Sequence, residues 1–289
     1  MVRPVPPAVE QATAHADEIA RGERFEFGEN WRRFLEVLDD ERIAEAERSL
    51  REMIGVDSLE GRSFLDIGSG SGLFSLAARR LGAAPVRSFD FDPASVACTG
   101  ELRKRYFDGD PAWTVGEGSA LDEEFVAGLG QWDIVYSWGV LHHTGDMWRA
   151  LDVAQARVDD GGLLFVSIYN DQGGRSIAWR AVKRLYNRLP PSVRPLLTLA
   201  VMGPRELLSF ARHLVRGRPM DYIRRWTGYK ESRGMSPMHD IVDWMGGYPF
   251  EVAKPEEVFA FLQAKGFQLE RLLTCGGGLG CNQYVFSRR

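Results

Sequence analysis

One short stretch, Ser63-Phe-Leu-Asp-Ile-Gly-Ser-Gly-Ser-Gly-Leu-Phe74, limits this chain of 289 residues to few folds. Ser63 to Ile67 read as a buried strand, Gly68, Gly70 and Gly72 follow at once, and Leu73, Phe74, Leu76, Ala77 and Ala78 open a helix that stops at Gly82. Strand, glycine turn and helix make the first unit of a doubly wound α/β sheet, whose ligands bind at the carboxyl ends of the strands. Glycine suits the turn because backbone and ligand can approach there without a Cβ between them. A dinucleotide loop reads G-x-G-x-x-G and seats a pyrophosphate. Here the spacing is G-x-G-x-G, Leu73 stands where the third glycine would be, and Asp66 precedes the loop. An acid before the loop, with no Lys or Arg inside it, favours a zwitterionic amino-acid moiety over a phosphate.

The chain that follows continues the α/β alternation. Val86 to Asp90 read as a second strand that ends in an acid, and Asp92-Pro93 open a helix with Asp92 as N-cap and Pro93 as first residue. An acid at the end of this second strand accepts hydrogen bonds from ribose hydroxyls, the role expected of Asp90. Trp113 to Val115 read as a third strand and Asp133 to Ser137 as a fourth. A loop follows from Trp138 to Thr144, then a helix from Met147 to Ala156. Gly161 and Gly162 read as a turn before a fifth strand, Leu163 to Asn170. Ahead of the sheet, Phe25, Phe27, Trp31, Phe34 and Leu35 form an aromatic arm in which Asn30 caps a helix from Trp31. Ile43, Ala46, Leu50 and Ile54 then recur at helical spacing before Gly55. Behind it, residues 171–245 break the alternation with amphipathic helices interrupted by Pro190, Pro191, Pro204 and Pro219. A helix at 255–267 and a final strand pair joined by Gly276 to Gly280 restore it.

These elements resemble the class I S-adenosylmethionine-dependent methyltransferases. Asp66-x-Gly68-x-Gly70-x-Gly72 matches their first motif, and Ser137-Trp-Gly-Val-Leu-His-His-Thr144 with Ile168-Tyr-Asn170 matches bacterial members in the loop after the fourth strand and at the end of the fifth. The likeness covers about residues 60–170 and 250–289. It implies a doubly wound seven-stranded sheet, six strands parallel and the last antiparallel, with S-adenosylmethionine as cofactor. Four segments follow: a helical arm or lid at 1–58, a cofactor-binding core at 59–170, a basic helical cap insertion at 171–245 and the completion of the core at 246–289. The resemblance assigns Asp66, Gly68, Ser69, Gly70, Gly72 and Phe74 to the methionine end and Asp90 to the ribose. Phe91, Gly118, Ser119 and Ala120 fall to the adenine, although Ser119 stands where the family usually has Asp. Ser137, Trp138 and Trp31 complete the cofactor set.

For chemistry, His142 and His143 are the candidate bases of the loop after the fourth strand, since imidazole titrates near neutrality. Tyr169 and Asn170 are candidates to hydrogen-bond the substrate, and Glu251, near Tyr248 and Phe250, is a candidate second base. No residues form a metal-binding pattern. Cys98, Cys275 and Cys281 make no disulfide framework.

Charge bears on partners. The chain's net −4 conceals a segment, 171–233, with fourteen basic residues against four acids, so that segment is +10 and the remainder −14. Such a field speaks to what the protein meets rather than to its fold. Three partners fit it: a small, anionic metabolite, a nucleic-acid backbone, or an anionic membrane surface touched peripherally by Leu196, Leu197, Leu199, Val201 and Met202. No apolar run approaches the roughly 20 residues of a membrane span, and the N-terminus lacks the apolar core of a secretory signal, so a cytoplasmic protein is expected. The expectation is a methyltransferase acting on a hydroxyl, carbon or nitrogen of a small metabolite. Its rivals are a tRNA-modifying transferase of the methyl or carboxymethyl type, suggested by the Val-Leu-x-His loop, and an S-adenosylmethionine-binding module without turnover.

Overall fold

The computed structural model describes residues 16–227, 237–278 and 280–289; Lys230, Glu231 and Arg233 of the basic segment lie outside these. Its centre is a seven-stranded sheet in the order β3-β2-β1-β4-β5-β7-β6. The strands are β1 (Phe64–Ile67), β2 (Val86–Asp90), β3 (Trp113–Glu117), β4 (Trp132–Trp138), β5 (Val158–Tyr169), β6 (Phe267–Leu273) and β7 (Cys281–Arg288). β7 runs antiparallel between β5 and β6, and the other pairings are parallel. The chain order reverses between β1 and β4, which opens a crevice at their carboxyl ends.

Helices cover both faces. Against one lie α1 (Phe27–Glu36), α2 (Asp40–Ile54), α3 (Leu73–Arg80) and α4 (Pro93–Tyr106), packed through Phe34, Ile43, Ala46, Leu50, Leu76 and Leu102. α2 shows why the sequence is legible: Asp39 accepts from the Arg42 N–H at the start, Gly55 stops it at φ +78°, and the apolar positions between are buried. The other face holds α5 (Glu123–Gly128), α6 (Met147–Gln155) and α11 (Pro255–Gln263), through Val126, Leu151, Val258 and Leu262. Between β5 and α11 come α7 (Gly174–Arg188), α8 (Arg194–Val215), α9 (Pro219–Thr227) and α10 (Pro237–Gly246). Phe25, Tyr186 and Met245 form a third cluster that joins the N-terminal arm to α7 and α10. The α7 side chains also cap α10: Lys183 Nζ donates to the Trp244 carbonyl and Asn187 Nδ2 to that of Gly246.

Three local expectations fail. Asn30 does not cap a helix from Trp31, because α1 already starts at Phe27 and Asn30 lies within it. Its amide instead donates to Asp243 Oδ1 at 2.8 Å. Pro204 does not break its helix but sits inside α8. Ala200, whose carbonyl loses its donor, is exposed, so water can take that bond. Gly161 and Gly162 do not precede β5 but lie inside it, where the register with β4 shifts between Trp132 and Ile134. Among the described residues no helix is long and apolar enough to cross a membrane.

Candidate active site

A cavity of about 650 Å³ opens at the carboxyl ends of β1, β2, β4 and β5, within the roughly 300–1,000 Å³ of small-molecule sites. The glycine loop forms its floor. Gly68 has φ +77°, and a Cβ there would come within 2.3 Å of Val140. Gly70 has φ +54° and lies against the Trp31 indole, which a Cβ would meet at 2.9 Å. Any side chain at either position therefore strains the backbone and displaces a wall. The Gly68 and Ser69 N–H groups donate to the Phe89 carbonyl, and the Gly70 N–H to Asp90 Oδ2 at 2.9 Å. The other Asp90 oxygen accepts from the Asp92 N–H. Asp90 thus ties the glycine loop to the turn after β2.

Asp66 is the buried acid of the floor, 2% exposed. Ser75 Oγ donates to it, Ser75 and Ser88 hydroxyls meet at 2.6 Å, and Trp113 Nε1 donates to Ser88. Burial pushes its carboxyl up to about 7; the Ser75 bond opposes this and the neighbouring Asp90 charge adds to it. Phe74, stacked on Tyr136 at 5.2 Å, and Trp138, bonded through Nε1 to Gln283, stand beside the floor. Phe91, Gly118, Ser119 and Ala120 line the far end, with the Arg24 guanidinium 5.0 Å over the Phe91 ring.

The N-terminal arm supplies Phe25, Phe27 and Trp31 to the same cavity. Asp92 holds this arm in place: it caps α4 through the Ala94 N–H and accepts from the Gly28 N–H at 2.7 Å. Gly28 admits this contact because a Cβ would lie 2.5 Å from that of Ala94.

His143 and Tyr169 line the opposite end. His143 Nδ1 lies 2.6 Å from the Pro249 carbonyl. A carbonyl only accepts, so this nitrogen carries the proton and Nε2 keeps its lone pair. Burial, followed by the charge of Lys183, pulls the imidazole down to about 3. His143 is therefore a neutral hydrogen-bond acceptor at physiological pH, and a weak base.

Five of the residues expected at the site do not reach the cavity. Gly72 packs against Thr99 at the start of α3, and Ser137 Oγ donates to the Ile67 carbonyl, joining β4 to β1. His142 is wholly buried, its ring 3.9 Å from that of Tyr169. Asn170 turns away to Asn282 and the Gly278 carbonyl. Glu251 is likewise absent from the wall: its carboxylate accepts from the N–H groups of Gly145 and Met147, at the start of α6. Sequence reasoning missed Asp240, Asp243 and Trp244 of α10, and Arg24, Arg205 and Glu206, all of which line the cavity. The spacing of Asp240, Asp243 and Trp244, three and four residues apart on one helix face, was a usable signal.

Sheet order, acid-led glycine loop and crevice together define the class I methyltransferase fold. A methyltransferase-domain family profile matches residues 33–208. The chain belongs to that methyltransferase-domain family. A ribosomal protein L11 methyltransferase of Bacillus cytotoxicus is 40% identical over 62 residues, 22% of this chain and 20% of the relative. One from Bacillus cereus is 39% identical over 62 residues, with the same coverage. The chain thus spans about a fifth of the length of the curated relatives it matches. Among solved structures, magnesium protoporphyrin IX methyltransferase from Synechocystis PCC 6803 with bound S-adenosylhomocysteine aligns with TM-score 0.51 at 14% identity, over 86% of this chain and 84% of that one. The same enzyme with bound S-adenosylmethionine aligns with TM-score 0.51 at 11% identity over 100% of both. At such identities the likeness concerns the fold.

Proposed function

We propose that this enzyme methylates an O–H or N–H group of a small molecule held between the glycine loop and α10. The observation that carries the reading is one continuous cavity, with a buried acid and glycine loop at one end and a neutral imidazole among aromatic rings at the other. S-adenosylmethionine supplies an activated methyl group, so the protein's tasks are to bind, orient and exclude water. The donor end fits it: Asp66, pushed up by burial, gains from a neighbouring ammonium, Asp90 has the place of a ribose acceptor, and Phe91 offers a ring beside Ser119 and Ala120. At the acceptor end, the lone pair of His143 Nε2 takes a hydrogen bond from the group to be methylated and orients it. Tyr169 bounds the same space. In this reading the arm at 1–58 acts as a lid and the helices of 171–245 as a substrate cap. Support comes from Phe27 and Trp31 of the arm and Met202, Trp226 and Ile241 of the inserted helices, all in the wall.

The test is transfer of radiolabelled methyl from S-adenosylmethionine into a metabolite extract. Label in the small-molecule fraction is expected. Label confined to RNA or protein, or none, overturns the reading.

A further inference from the structure

We infer that Asp243 and the aromatic rings beside it form a subsite for an amino group on the methyl acceptor, so that the substrate is an amine with a largely apolar body. The inference rests on the methyltransferase reading and adds the substrate's chemical class to it. Asp243 lies in the cavity wall on α10, one turn beyond Asp240, and Glu206 of α8 lines the same cavity. Its Oδ1 accepts from Asn30, but a neutral amide leaves a carboxylate's charge unbalanced. Among the described residues the cation that acts on Asp243 is Lys183. That ammonium is already engaged: Nζ donates to the Trp244 carbonyl and lies 4.6 Å from the Trp244 ring centroid, 4.9 Å from Phe250 and 5.4 Å from Tyr169. Burial also brings Lys183 down to about 7 and pushes the Asp243 carboxyl up, as expected of an acid short of positive charge.

A ligand ammonium would supply that charge. Phe27, Tyr169 and Trp244 line the cavity and are linked ring to ring through His143, and their faces attract a cation as well as an apolar body. Among the described residues the surplus of positive charge does not focus here. Of the described basic residues in 171–233, Arg205 lines the cavity, with Glu206 next to it; Arg24, also in the wall, is held by Glu18 at 2.5 Å. An acidic substrate would face Asp243.

The test uses the full chain saturated with S-adenosylhomocysteine and three length-matched pairs of probes: tryptamine and indole-3-propionate, phenethylamine and 3-phenylpropionate, hexylamine and heptanoate. Calorimetric titration should show at least one amine binding tenfold or more tighter than its matched acid. Asp243→Asn should abolish that preference and leave S-adenosylhomocysteine affinity unchanged. Tighter binding of the acids, no binding of any amine, or a preference that survives in Asp243→Asn overturns the inference. So does a tenfold loss of S-adenosylhomocysteine affinity in that variant, because Asp243 would then serve the donor. Should the variant not fold, the wild-type preference still decides. If the wild-type protein does not bind S-adenosylhomocysteine, it is the methyltransferase reading itself that fails.

Discussion

The sharpest consequence of the site concerns Asp66. In the donor-free protein its carboxyl sits at about 7, because burial outweighs the single hydrogen bond from Ser75. An ammonium of the donor requires the ionised form, so below that value a proton must be displaced for binding to occur. Each pH unit then costs about 1.4 kcal/mol, or tenfold in affinity. Between pH 7.5 and 5.5 the affinity for S-adenosylhomocysteine should fall about twenty-five-fold, with proton release measurable in buffers of different ionisation enthalpy. Stability should change in the opposite sense. A carboxyl raised from its ordinary value contributes stability that is complete below about 3.8 and lost as pH rises through about 7, a span of about 4 kcal/mol. Asp66→Asn should remove the pH dependence of binding and, at pH 7.5, weaken binding about ten- to a hundredfold, the value of a hydrogen bond to a charged group. An affinity that changes less than about threefold over this range, with Asp66→Asn equal to wild type, would refute the argument.

Three further outcomes follow from the same geometry. His143→Ala should lower turnover by about tenfold or more while S-adenosylhomocysteine affinity stays constant; since burial holds His143 neutral down to about 3, steady-state rates should show no inflection from this imidazole between pH 5 and 8. Glu251→Gln should weaken the cap on α6, costing about 1 kcal/mol and about 2 °C in thermal unfolding; an unchanged Tm would remove the capping role. Gly28→Ala places a Cβ 2.5 Å from that of Ala94, so denaturant titration should show a loss of about 1–3 kcal/mol and donor affinity should fall as Trp31 shifts; wild-type values for both would show that the arm is not held by this contact.

The parts of the fold that could be read in advance are those set by local rules. Gly68 and Gly70 stand where the backbone takes positive φ, Asp92 caps the helix it precedes, and Ile43, Ala46 and Leu50 keep a helical period that packing satisfies. What escaped depends on residues far apart in the chain. Glu251 looks like a base until the fold brings it to the N–H groups of Gly145 and Met147, more than a hundred positions earlier. Asn30 looks like a cap until Asp243 is found beside it. His142 and His143 are indistinguishable as neighbours in sequence. The turn at Leu141–His143 buries one against Tyr169 and gives the other to the cavity. The basic surplus of 171–233 does not say which side chains face inward, and α10 brings Asp240 and Asp243 to the wall.

The claim on which the rest depends is that the methyl donor lies across the ends of β1 and β2. A crystal structure of the protein with S-adenosylhomocysteine measures this directly. Its amino-acid end should lie at Asp66 and the glycine loop, its ribose on Asp90, and its adenine beside Phe91, Ser119 and Ala120. Density for the ligand elsewhere, or a crevice that stays empty at saturating concentration, would contradict it.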